Sequence, residues 1–328
     1  MMSCQRVEVQ QRGTWVGVGL ESESELCTHT AAHYDRVIET QAEALGLTIP
    51  RDFSVDLLFV EPSSIPSLNC GGGELVEGCV VNKGTVAYAG ARYAAEHELA
   101  HALTIQTLGS LNYRLFSEGV AEALDPSAIY DPAFSMEPAS DWCGTDVLSV
   151  RNYAYAGRFV SWLVREYGAD KFQAFWSDAA SRLCRKAPDS FEAHYNISLA
   201  EALSIFDDLG SEVVPLSAPG CSGIRLQPGA TEEPYPTDCE HEMTWGSKSG
   251  ELSPPGTTFV VEPEGAIGCQ LELETLSGPR AYRCGWAGDD PGFVMLESGA
   301  RTLEVLPGQP VSVVFSGGGR ARVSLSCE

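Results

Sequence analysis

The chain has 328 residues, 44% of them hydrophobic, which is enough to bury one large core or two medium ones. Asp and Glu outnumber Lys and Arg 45 to 21, for a formal net charge of -24. Such a field repels phosphate backbones and anionic lipid surfaces, so no nucleic-acid partner is expected, and the plain reading of the charge is solubility in an extracellular or saline medium.

Eleven cysteines, most of them in Gly-, Pro- and Asn-rich stretches such as "LNCGGGELVEGC" and "DWCGTD", point to an oxidising compartment. An odd count leaves one over, and Cys4 is the candidate, either as a thiol or as the lipid anchor of an exported bacterial protein. No charged segment followed by an apolar run precedes it, and no apolar run in the chain is long enough to span a membrane.

Residues 7–20 alternate well enough for a strand. Residues 28–47 place Ala32, Val37, Ala42 and Leu45 at helical spacing with Gly46 near the end, which predicts an amphipathic helix. A strand follows over 54–60, then a loop in which Cys70 and Cys79 are near enough to pair, then a short strand over 84–90. From there to residue 210 the pattern is mainly helical: "RYAAEHELAHALTIQTLG", "FSEGVAEALD", "NYAYAGRFVSWLVREYG", "ADKFQAFWSDAASRLC" and "SLAEALSIFDDLG". A β-rich layer followed by a helical half is an α+β arrangement.

Composition changes after Gly210, where a Pro/Gly/Ser-rich stretch reads as a linker. Beyond it "TTFVVE", "CQLELET", "AYRCGW", "GFVMLE", "RTLEVL", "PVSVVFS" and "RARVSLS" recur between Gly/Pro turns, the pattern of an all-β sandwich. Two domains are expected, 1–210 and 211–328. The second offers no catalytic signal; His241 and Glu242 read as a solvated loop.

One stretch of the first domain carries chemistry. In "AAEHELAHALT", His97 and His101 lie four apart on a helix and can aim two imidazoles at one point, while Glu98 sits about 100° further round. That is what metal-assisted hydrolysis needs: a zinc ion that brings the pKa of its water to about 7, and a carboxylate to take the proton. His29 and His33 share the same spacing but lack the glutamate, and read as surface histidines. A third ligand is required, and "LFSEGVAEAL" offers Glu118 at the start of a helix that a tight turn would bring back over the histidines. Gly119 would let that helix approach the first one closely. Glu122, one turn on, is the alternative ligand or a partner orienting a histidine; Asp146 is a weaker alternative.

H-E-x-x-H followed by a helix carrying E-G-x-A-E resembles the gluzincin metallopeptidases, the clan of thermolysin and the aminopeptidases. The resemblance spans roughly residues 50–210 and is strong only at these two motifs; the sixteen residues between His101 and Glu118 are somewhat fewer than in the best-known members. It implies a zincin-like domain, with His97, His101 and Glu118 as zinc ligands, Glu98 as general base, and a tyrosine before a glycine as oxyanion donor. That tyrosine is Tyr153 or, second, Tyr155, which shares a helical stripe with Phe159, Trp162 and Leu163 and so reads as core. It also implies a sheet edge near the metal that takes a peptide as an added strand, for which Thr85 to Ala89 is the candidate. The function expected is a secreted or surface-anchored zinc peptidase acting on peptide or protein substrates. The alternative is a non-catalytic, zinc-stabilised surface protein for adhesion or carbohydrate binding.

Overall fold

In the computed structural model, the residues described are 7–68, 78–90, 92–125, 136–144, 148–209, 216, 239 and 244–247, with the C-terminal strands given below. The protein has mixed α and β content. Five strands form the first sheet: β1 (Gln11–Arg12), β2 (Val16–Leu20), β3 (Val55–Phe59), β4 (Gly78–Val81) and β5 (Val86–Ala89), in the order β1-β2-β3-β5-β4. β2, β3 and β5 run parallel, and the two outer strands are antiparallel to their neighbours.

The single strand expected over 7–20 is a hairpin. It turns at Gly13, where Asp35 accepts hydrogen bonds from the backbone N–H groups of Thr14, Trp15 and Val16 at 2.5, 3.0 and 2.9 Å. That carboxylate ties the turn to α1 (Thr30–Ala44) and satisfies three of its backbone amides. Side chains alternate across a strand, so Val16, Val18, Val55, Leu57, Phe59, Ala87 and Ala89 share one face and pack against Tyr34 and Ile38 of α1 and Leu99 and Leu103 of α2 (Arg92–Leu108).

Five further helices make the second half: α3 (Arg114–Leu124), α4 (Val150–Tyr167), α5 (Ala169–Ala180), α6 (Ala187–Tyr195) and α7 (Leu199–Leu209). Their core is aromatic, built on Phe116, Phe159, Phe175, Phe191 and Phe206. α6 escapes the sequence reading because its nine residues include a proline in the first turn and too few apolar positions to show a period. α2 is shared by both halves: Leu99 and Leu103 enter the sheet-side core and Ala100 the helical one.

Ten C-terminal strands follow: β6 (Ile224–Leu226), β7 (Thr231–Glu232), β8 (Thr244–Trp245), β9 (Gly256–Val261), β10 (Cys269–Thr275), β11 (Arg280–Arg283), β12 (Phe293–Met295), β13 (Gly299–Val305), β14 (Val311–Ser316) and β15 (Ala321–Cys327). They form one sheet ordered β13-β10-β15-β7 and another ordered β12-β11-β14-β9-β6, with β8 also on β9. All seven short β segments expected here coincide with strands.

Part of this region folds onto α1. Cys239 is disulfide-bonded to Cys27, Ser247 bridges to Leu26, and Gly246 exchanges hydrogen bonds with Thr30. His33 is therefore not a surface histidine: its ring stacks on Trp245 with centroids 3.9 Å apart. A second disulfide joins Cys143 to Cys184. Cys79 is disulfide-bonded too, while Cys70, the partner expected for it, lies outside the described residues, as do Cys4, Asp146, His241, Glu242 and the boundary at 210–215. Among the described residues no helix is long and apolar enough to cross a membrane.

Candidate metal centre

α2 carries His97 and His101 toward α3. It ends at Gly109, whose φ of +95° only glycine adopts without strain, and the chain needs just residues 109–113 to start α3. The N–H of Arg114 donates to Trp142 O at 2.9 Å, in the loop that the Cys143–Cys184 disulfide holds. Gly119 does permit a close helix approach, but to α4 and not to α2: a Cβ there would lie 2.6 Å from Ala156 O. α4 is thereby drawn against α3. Its own start is fixed by a reciprocal pair of hydrogen bonds between Ser149 and Asn152, which sets Tyr153 in the first turn.

These supports bring three ligand atoms together. His101 Nε2 lies 3.1 Å from His97 Nε2 and 3.2 Å from Glu118 Oε2, and His97 Nε2 lies 3.3 Å from the same oxygen. A tetrahedral centre with bonds of about 2.0–2.1 Å separates its ligand atoms by about 3.3–3.4 Å, close to the edges of this triangle. Two imidazole nitrogens and a carboxylate oxygen converging on one point are also the donor types that a divalent transition-metal ion takes. His97, His101 and Glu118 could hold a metal ion. Their side chains are 12%, 15% and 19% exposed, so the point between them is reachable from solvent.

Glu122 stands behind the triangle, its Oε1 3.2 Å from Nδ1 of His97. That contact holds a proton on Nδ1, so Nε2 is the nitrogen that would give up its proton to ligate a metal ion. Burial works to lower the His97 pKa, but the hydrogen bonds to Glu118 and Glu122 outweigh it and hold the ring well above the ordinary imidazole value. Burial likewise opposes the charge on Glu118, yet the adjacent His101 and His97 keep that carboxyl well below the usual range.

Glu98 is buried at 6% exposure, and burial raises its pKa against the pull of His101 and His97. Tyr153 is half-buried with its ring 6.0 Å from that of His97; burial and the nearby Glu118 push its hydroxyl up to about 12, so it stays protonated at neutral pH. Tyr155 points away, buried at 3% exposure, and donates to Asp207 at 2.9 Å.

Two features were missed in the sequence. β5 is paired on both sides, by β3 and β4, so residues 85–89 offer no open edge; the outer strand is β4, four residues too short to announce itself by alternation. Gly78, the first residue of β4, lies against Glu98. A glycine within a strand signals a close approach, but only the fold says to what.

No protein-family model matches the chain, and no curated protein does. Among solved structures it is similar to the crystal structure of Fe(II)-HppE with alternative substrate (S)-1-HPP, at 9% identity over 52% of this chain and 88% of that one, with a TM-score of 0.16. A likeness at that score carries no argument about fold or function.

Proposed function

We propose that the protein is a zinc-dependent peptidase of the gluzincin type, with a zincin-like domain in its first 210 residues and the C-terminal strands as an accessory β-sandwich. The observation that carries this reading is the convergence of His97, His101 and Glu118, with Glu98 buried beside the pair and Tyr153 close to His97. A site that only stabilised a fold would have no use for a general base at that place.

His97, His101 and Glu118 would hold the zinc ion, which would supply Lewis acidity to water and to a substrate carbonyl. Glu98 takes the proton from the attacking water and passes it to the leaving amine as the peptide bond breaks; its raised pKa suits both transfers. Tyr153 donates its hydroxyl proton in a hydrogen bond to the carbonyl oxygen as that oxygen gains charge. Glu122 holds the His97 ring in register. Among the described residues β4 is the outer strand of the sheet, and its outer side is suited to take the substrate backbone as an added strand, in place of residues 85–89. The disulfides agree with an extracellular or cell-surface setting.

The test is cleavage of a diverse peptide mixture by the zinc-loaded protein beside a Glu98→Gln variant, read by mass spectrometry. New termini from the parent, falling about 10²–10⁴-fold in the variant, are expected. Equal patterns from the two proteins would sink the peptidase reading.

A further inference from the structure

Gly78 begins β4 and pairs with Ala89 of β5. A Cβ built on it would lie 2.6 Å from Oε1 and 2.8 Å from Cγ of Glu98, and 2.9 Å from the Tyr88 carbonyl oxygen. All three distances are inside van der Waals contact, and the two shortest are to one side chain. Its backbone is outside the positive-φ region, so glycine is not required there by conformation. What the position requires is space, and Glu98 fills it.

The root of Glu98 cannot yield easily. Leu99 and Ala100, the next residues of α2, are fully buried in the two cores, so relief on the helix side comes from rotating the glutamate side chain itself. A carboxylate that must meet water beside His97 and His101 has few rotamers that serve.

We propose that Gly78 is a positioning residue for Glu98: by lacking a side chain it seats the carboxylate, and the outer strand of the sheet thereby sets where the base stands. The catalytic half of this proposal rests on the peptidase reading above; the steric half does not. Misplacing a reacting group by about 1 Å costs on the order of 10²-fold in rate. Gly78→Ala should therefore lower kcat about 100-fold with KM little changed and one metal ion per chain retained.

The experiment compares the parent, Gly78→Ala, Glu98→Ala and the double variant by thermal unfolding, metal content and, for the parent and Gly78→Ala, peptide cleavage. Gly78→Ala is expected to lower Tm in the parent and to cost much less in the Glu98→Ala background, because the two closest atoms are then gone. Should Gly78→Ala fail to fold, recovery of a folded, metal-binding double variant supports the proposal, and failure of both overturns it. An equal loss of Tm in both backgrounds would assign the clash to the Tyr88 carbonyl and overturn it as well, as would an unchanged kcat. If the parent cleaves no peptide, the peptidase reading fails on its own, and the unfolding comparison still decides whether Gly78 seats Glu98.

Discussion

Two stretches of this protein, one in α2 and one at the start of α1, carry histidines four residues apart, and they have gone separate ways. On α2, His97 and His101 meet Glu118 from α3 in a triangle of polar atoms. On α1, His29 flanks the helix start and His33 lies flat against Trp245, next to the Cys27–Cys239 disulfide that ties the C-terminal region down. The spacing is the same, so spacing alone does not make a site. What differs is the third party: a carboxylate delivered by a second helix in one case, an indole ring in the other. The same imidazole is available to a metal ion where it meets an anion and is a packing surface where it meets an aromatic ring.

Substitutions sharpen that contrast. The largest effect in this group is expected at Tyr153, where removal of the hydroxyl in Tyr153→Phe should lower kcat by about 10²–10³-fold, the usual loss for one oxyanion donor. Metal content should be unchanged, and a variant with full kcat would remove Tyr153 from the mechanism. Glu122→Gln replaces the acceptor on Nδ1 of His97 with a neutral amide, and metal affinity measured against a competing chelator should weaken by about 10–100-fold. An undiminished affinity would mean that the contact does not hold the ring.

On the other helix the expected loss is small and of a different kind. His33→Ala removes a stacked pair generally worth about 0.5–1.5 kcal/mol, which should lower Tm by a few degrees in a thermal scan and leave peptide cleavage intact. If cleavage fell along with Tm, the α1 contact would be coupled to the metal centre, and the separation drawn between the two helices would fail.

The sequence made the candidate metal centre legible because its signals are local. His97, Glu98 and His101 lie within one helical stretch, and Glu118 follows across a five-residue turn, so the 3.6-residue period brings them together with little help from distant contacts. Seven of the C-terminal strands were legible for the same reason, since glycine and proline punctuate them, whereas β6, β7 and β8, two or three residues each, lie in stretches that read as linker and loop. Misread or missed were features decided by distant partners: Gly119 packs on α4 rather than α2, His33 waits for an indole more than 200 residues away, and residues 85–89 lose their edge to β4. None of these partners can be inferred from neighbouring residues.

The most direct test of the account is the metal itself, counted by native mass spectrometry after zinc loading and gel filtration of the parent, His101→Ala and His33→Ala. One zinc ion per chain is predicted for the parent and for His33→Ala, and none for His101→Ala. Retention by His101→Ala, or a parent that takes up no metal, would contradict the claim that the α2 histidines and Glu118 form a metal centre.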